Sequence, residues 1–231
     1  MVQIKNLTKI YKLNKKQMAE SHTKDPYKRA VDGLSLTAKP GEIYGLLGPN
    51  GAGKTTTRRC ISTIIKPTEG QIYVDGHEVQ EEPEEVQRRI GFLTSDIKLD
   101  EQFDPDYMFR FFGRLHKVPE DMLEKRRQEL FSYFGIEEFA HKRIKELSTG
   151  MKQKVSLIIS LVHDPQIIIF DEPTNGIDVI TAKVVTDFLQ ELKAEGKTII
   201  VSTHIFSLIE KICDRVGIII NGKMVLCATL S

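Results

Sequence analysis

Gly48, Pro49, Asn50, Gly51, Ala52, Gly53, Lys54 and Thr55 follow one another in the spacing G-x-x-x-x-G-K-[ST], with Thr56 next in line. Glycines at this spacing let the chain turn tightly, so that successive N–H groups converge on phosphate oxygens at the start of a helix. Lys54 then neutralises the β- and γ-phosphates, and the Thr55 hydroxyl coordinates Mg²⁺. An apolar run at 43–47 precedes the segment and a helical pattern follows it, which is the context such a loop requires. A glycine-rich strand-to-helix turn without ligand is the plainer reading. With every fixed position and both flanks in place, the phosphate reading prevails: this is an ATP or GTP site.

Three further features carry chemistry. Ile167, Ile168, Ile169 and Phe170 form an apolar run that ends in Asp171 and Glu172. A buried strand delivers its last residues to the carboxyl edge of a parallel sheet, where ligands sit. There Asp171 can hold the Mg²⁺ shell, and Glu172 can position and polarise the water that attacks the γ-phosphate. A solvated strand-end carboxylate is the alternative for Glu172. Ser148 precedes a helical pattern through Lys152, Val155, Ile158 and Ile159, so it reads as an N-cap. With the small Gly150 beside it, that helix start is a ready anion site, although an ordinary capped helix accounts for the same residues. Of six histidines, His204 alone stands at the carboxyl end of a predicted core strand. His163 reads as a structural turn residue, and His22, His77, His116 and His141 as surface or local contacts.

The elements that must position these groups can be read coarsely. Short β-branched or apolar runs predict strands at 2–5, 34–38, 42–47, 71–75, 90–94, 167–171, 198–203, 215–220 and 223–227. Helical patterns fall between several of them, at 53–65, 149–162 and 179–195. Strands that are apolar almost throughout, alternating with helices, predict a mainly parallel sheet covered on both faces. The early strands come too close together for crossovers, which predicts an additional antiparallel sheet. Aromatic and aliphatic residues from Phe103 to Phe134 recur at helical spacing among charges and predict an inserted helical lobe. Residues 12–29 are polar and aperiodic and predict a long loop or flap. Asp75-Gly76 and Asn221-Gly222 are hairpin-turn signals.

Composition bounds the rest. The 231 residues, 40% apolar and 28% charged, suffice for one α/β domain with a smaller lobe. A net charge of +1 gives no field directed at nucleic acid or an anionic membrane. The start has no secretory leader pattern, and no apolar run approaches the ~20 residues of a membrane helix. Cys60, Cys213 and Cys227 lack metal-ligand spacing and read as reduced, mostly buried thiols of a cytosolic protein.

The order of these motifs resembles that of the ATP-binding cassette (ABC) ATPases over essentially the whole chain, about 1–228. Leu147-Ser-Thr-Gly-Met151 looks like the family's signature motif, and 167–172 like its second acidic motif. The resemblance implies a P-loop α/β fold in a single domain. Its nucleotide-binding core spans 1–95 and 156–231 with the antiparallel subdomain, and its helical signature subdomain spans 96–155. It implies that Ser148, Thr149, Gly150 and Met151 contact the γ-phosphate bound by an opposing subunit. It identifies Asn175, Gly176, Ile177 and Asp178 as the loop joining the two sites, which weighs against the plain reading of Glu172. It makes His204 the switch histidine, and it makes Tyr11 the adenine-stacking aromatic, with Tyr27 a rival. Stacking on one face contributes roughly 1–3 kcal/mol and little base selectivity. Cofactors are then ATP and Mg²⁺. The implied partners are an integral membrane permease and a second cassette, as homodimer or heterodimer, at the inner face of the cell membrane; no nucleic acid is expected.

Two motifs depart from the family pattern. Thr149 and Met151 stand in a signature that is commonly Leu-Ser-Gly-Gly-Gln, and Ser95 stands where most members have a Gln reaching the metal and its water. Ser95 is shorter, which implies a water bridge in place of direct contact. Both variations resemble bacterial exporters of the sodium-extrusion (NatA-like) and drug-export group. A soluble ABC ATPase in cofactor assembly and a small-molecule P-loop kinase are the competing classes. The kinase leaves 147–154 and His204 unexplained.

Overall fold

The computed structural model describes residues 1–20, 22–94 and 99–230. Six strands form the central sheet, in the order β10 (Lys223–Thr229), β9 (Arg215–Ile220), β3 (Glu42–Leu47), β8 (Thr198–Thr203), β7 (Ile167–Asp171) and β6 (Ile90–Leu93). All neighbours run parallel except β9 and β10, a hairpin whose tight turn carries Asn221 at positive φ. A second, wholly antiparallel sheet has the order β2 (Tyr27–Ala38), β1 (Val2–Lys12), β4 (Glu69–Val74), β5 (His77–Glu78). Both predicted sheets are therefore present.

The central strands are apolar throughout because both faces are covered. Ile167, Ile169, Ile200, Tyr44 and Leu46 face the antiparallel sheet together with Cys60 and Ile61 of α2 (Lys54–Ile61). Ile168, Phe170, Ile199, Val201 and Ile43 face the other side. There they meet α7 (Val179–Ala194), α8 (Phe206–Ile212) and the helical region. That region contains α4 (Pro105–Leu115), α5 (Glu120–Phe134) and α6 (Thr149–Ser160). Asp104 caps α4 by accepting from the Tyr107 N–H at 2.8 Å, with Pro105 as its first residue, and Gly135 ends α5 in the left-handed conformation. Only part of the 103–134 aromatic pattern is core. Phe109 and Phe131 are buried edge-to-face, whereas Phe103, Tyr107 and Phe111 are exposed and stacked in a row.

Two expectations need correction. Residues 12–29 are not a long loop: β1 and β2 extend toward the tip, pairing Tyr11 with Lys28 and Lys12 with Tyr27. Both strands are wet near the tip, so no apolar alternation marks them. Between them lies the short helix α1 (Lys15–Glu20), opened by Asn14 and Gln17, whose side chains reciprocally accept each other's backbone N–H at 2.9 Å. The helix expected at 53–65 stops at Ile61. Helices α3 (Pro83–Arg89) and α8 are too short for their periodicity to have been legible. Among the described residues, no helix is long and apolar enough to cross a membrane. Cys60 and Cys213 are buried, and Cys227 is exposed.

His163 is a structural residue, as its turn context suggests. Its Nε2 donates to the Ile90 carbonyl at 3.1 Å, and its ring stacks on His116 at 3.9 Å. Burial first, and His116 and Arg126 next, push this imidazole down to about 4 from its ordinary 6.5. Below pH 6.5 the unfolded chain therefore takes up a proton that the folded chain resists until about 4, and stability falls through that window. A His163→Gln variant, which keeps a donor for Ile90, is expected to lose less melting temperature than wild type between pH 6.5 and 4. Parallel Tm–pH curves for the two proteins would refute this origin.

Candidate functional site

Three adjacent parallel strands end side by side. Register pairs Leu47 of β3 with Thr203 of β8, and Ser202 of β8 with Asp171 of β7. The loop 48–53, His204 and the Asp171–Glu172 pair thus leave the sheet at one level. The structure brings these sequence-predicted groups together.

The phosphate loop is held from two sides. Gly53 has φ +112, and a Cβ there would lie 2.7 Å from the Ala30 carbonyl of β2, so both conformation and space require glycine. On the other side the β9–β10 turn supports the loop: the Gly222 N–H donates to the Ala52 carbonyl at 2.9 Å, and the Gly222 carbonyl accepts from Asp32 N–H at 2.9 Å. The sequence identifies 221–222 only as a turn. Lys54 Nζ donates to the carbonyls of Gly48 at 2.5 Å and Pro49 at 3.1 Å, which keeps the ammonium inside the loop. Burial lowers the Lys54 pKa, opposed by the nearby charges of Glu172 and Asp171.

A cleft of about 210 Å³ opens over this loop, lined by Tyr11, Lys28, Ala30 and residues 49–56. Tyr11 forms one wall, with the Lys9 ammonium 5.3 Å from its ring centroid on one face. Tyr27 does not line the cleft and is 57% exposed, which favours Tyr11 as the stacking aromatic. Lys28 was not anticipated. The strand pairing with Tyr11 puts it there, and only a β reading of 27–30 would have revealed it.

On the acidic side, Asp171 Oδ1 accepts from the Ser202 hydroxyl at 2.8 Å. Its Oδ2 lies 2.5 Å from Nη2 of Arg58, a residue that is 1% exposed and that the sequence pattern had not marked. The same Nη2 donates to the Thr55 hydroxyl at 3.0 Å. Glu172 has φ +48, rare for a non-glycine residue, and its neighbours enforce it. Its Oε2 accepts from Thr203 Oγ1 at 2.7 Å. Its Oε1 accepts from the His204 N–H at 3.0 Å and from His204 Nδ1 at 2.7 Å. A carboxylate so held points in one direction, as a group that orients water must. The donor set of one carboxylate and one hydroxyl suits Mg²⁺, a hard cation that takes few protein oxygens and completes its shell with phosphates and water.

The signature residues stand apart, and none of them lines the cleft. Ser148 Oγ accepts from the Met151 N–H at 3.3 Å and so caps α6, with Thr149 as the first helical residue. A Cβ on Gly150 would meet nothing closer than Asp178 Oδ2 at 3.7 Å, an ordinary contact, and its φ is not positive. Nothing among the described residues therefore requires glycine at 150. In the loop 175–178, Asp178 is committed to capping α7, accepting from the N–H groups of Ile180 and Thr181. Asn175 N–H donates to the Glu172 carbonyl at 3.0 Å, Gly176 has φ +73, and Ile177 packs against the core. Ser95 lies outside the described residues.

The family described as ABC transporter matches residues 31–175. The ATP-binding protein NatA of Bacillus subtilis is 39% identical over 198 residues, covering 85% of this chain and 80% of the relative. The daunorubicin resistance ATP-binding protein DrrA3 of Streptomyces coeruleorubidus is 35% identical over 198 residues, covering 86% of this chain and 63% of the relative. A dimeric ATP-binding cassette solved in a post-hydrolysis state with ADP and Pi superposes with a TM-score of 0.88. It is 26% identical and covers 100% of this chain and 99% of its own.

Replacing Gly53 by Ala combines a positive φ with a backbone clash, which together cost about 2–3 kcal/mol. The expected outcome is a Tm lower by roughly 4–10 °C, with loss of fluorescent-nucleotide binding. An unchanged Tm would contradict this account of the loop.

Proposed function

Since the chain belongs to the ABC transporter family, as an ATP-binding cassette, we propose that it is the ATP-hydrolysing subunit of a bacterial exporter. It works by ATP-driven pairing with a second cassette and through a separate membrane permease, at the inner face of the cell membrane. The observation that carries the catalytic part is the triple anchoring of Glu172 by Thr203 and His204 beside Asp171. The export assignment draws support from relatives named for daunorubicin resistance and Nod factor export, and the sodium reading from the likeness to the NatA-like group. Na⁺ or drug efflux is the proposed transport, with a nucleotide-binding core of 1–95 and 156–231 and a helical signature subdomain of 96–155.

In this reading Gly48, Pro49, Asn50, Gly51, Ala52, Gly53, Lys54, Thr55 and Thr56 wrap the phosphates, and Tyr11 stacks on the adenine. Thr55 and Asp171 hold Mg²⁺, which supplies charge neutralisation at the β- and γ-phosphates. Glu172 orients the attacking water and accepts its proton. The His204 Nδ1–H bond to Glu172 fixes the ring and leaves Nε2 outside that bond; when Nε2 also carries a proton, it can donate to the γ-phosphate. Ser148, Thr149, Gly150 and Met151 act on the nucleotide of the opposing cassette, a role supported by the lack, among the described residues, of any steric or conformational need for glycine at 150. Asn175, Gly176, Ile177 and Asp178 lie between the two sites.

Glu172→Gln is expected to lower Mg-ATP turnover by about 10²-fold or more, as loss of a general base does, and to elute as a dimer with ATP. Equal turnover would remove Glu172 from its role. Gly150→Ala should change stability by no more than about 0.5 kcal/mol yet abolish ATP-dependent dimerisation; retained dimers would sink the trans contact. Co-purification with a permease, and efflux of Na⁺ or drug on co-expression, tests transport. Recovery with soluble assembly proteins instead would favour a cofactor-assembly ATPase.

A further inference from the structure

Arg58 sits one turn into α2 on its buried face, flanked by buried Thr57, Cys60 and Ile61, where helical periodicity calls for an apolar side chain. It is 1% exposed, and two of its donors, Nε and Nη1, are buried without a partner among the described residues. Burial lowers its pKa, with Asp171 opposing. A buried ion pair of this kind adds little net stability, since replacing both partners by well-packed apolar residues does as well or better, although removing one partner alone leaves a buried charge unmatched. Its geometry suggests another use. One nitrogen, Nη2, lies 2.5 Å from Asp171 Oδ2 and 3.0 Å from Thr55 Oγ1. Those are the two protein oxygens assigned to Mg²⁺. The guanidinium therefore bridges the metal's proposed ligands as a cation would.

We propose that Arg58 is a positioning residue that serves as a resident counter-cation, holding Thr55 and Asp171 together and making metal binding competitive with its own guanidinium. The inference rests on the assignment of Thr55 and Asp171 as metal ligands. A divalent ion entering beside a fixed positive charge in a poorly solvated site is repelled, and it must share or displace the bridge to Asp171. The cassette is thereby set to a weaker hold on its metal than the ligand pair alone would give. In the absence of metal, Asp171 keeps a partner. Ser202, bonded to Oδ1, fixes the carboxylate from the other side and limits how far it can turn away.

The test uses the full chain with a non-hydrolysable ATP analogue, and free Mn²⁺ is measured by electron paramagnetic resonance. Arg58→Met, an apolar side chain of similar length, is expected to tighten Mn²⁺ by about tenfold or more while lowering the Tm measured in EDTA, because Asp171 loses its partner. Adding Mn²⁺ should then raise that Tm more than it does in wild type. Arg58→Lys keeps a charge on a stem without the fork and should give an intermediate affinity. It keeps the proposal testable if the Met variant does not fold. Unchanged or weaker Mn²⁺ affinity in folded Arg58→Met or Arg58→Lys overturns the proposal and leaves Arg58 a packing residue. Asp171→Asn separates the two levels. If it binds Mn²⁺ as wild type does, the metal-ligand assignment fails and the proposal falls with it. If it loses Mn²⁺ while the Arg58 variants match wild type, only the Arg58 role fails.

Discussion

Parallel pairing of β3, β8 and β7, with Leu47 level with Thr203 and Ser202 level with Asp171, constrains everything else in this molecule. A sheet buried on both faces has no room for unpaired polar groups along its length. Charged side chains can appear only where the strands end, and three ends at one level concentrate them. The phosphate loop, the two carboxylates and His204 meet because their strands are neighbours in the sheet. In the chain the loop at 48–55 precedes the carboxylates by more than a hundred residues, and His204 follows Glu172 by 32.

Once gathered, these groups must neutralise one another. Lys54 and Arg58 face Asp171 and Glu172, two cations against two anions, and most of their polar atoms are tied to specific partners. The carboxylates are treated differently. Asp171 is matched by charge, through Arg58, whereas Glu172 is held by two neutral hydroxyl and amide donors and by one imidazole. A carboxylate paired with a guanidinium suits a site that handles a cation, and one held at both oxygens keeps the fixed direction that orienting a water requires. The unfavourable φ of Glu172 is a local cost that its hydrogen bonds offset.

The signature helix obeys a different logic. Its N-terminus is capped within the chain by Ser148, yet among the described residues its glycine has no conformational or steric justification, and none of its first residues lines the nucleotide cleft. Residues that satisfy no internal requirement are best explained by an external one. A dimeric neighbour of the same fold, solved with ADP and Pi, shows that such cassettes pair.

Much of this was legible in the chain. The spacing from Gly48 to Thr55, the apolar strand before Asp171 and the Asn221-Gly222 turn are local patterns, and local sterics and hydrogen bonding determine them at short range. Sequence alone therefore specified the phosphate loop, the acidic strand end, the capped helix at Ser148 and both sheets. It did not reveal the long β1–β2 ribbon, because strands wetted near their tip have no apolar alternation, nor Lys28, which only that pairing brings beside Tyr11. It did not mark Arg58, whose partner lies 113 positions away across the sheet face. Nor did it assign the Gly222 turn to the phosphate loop or Thr203 to Glu172. Each of these depends on which distant segments become neighbours, and only the packing of two sheets and their helices decides that.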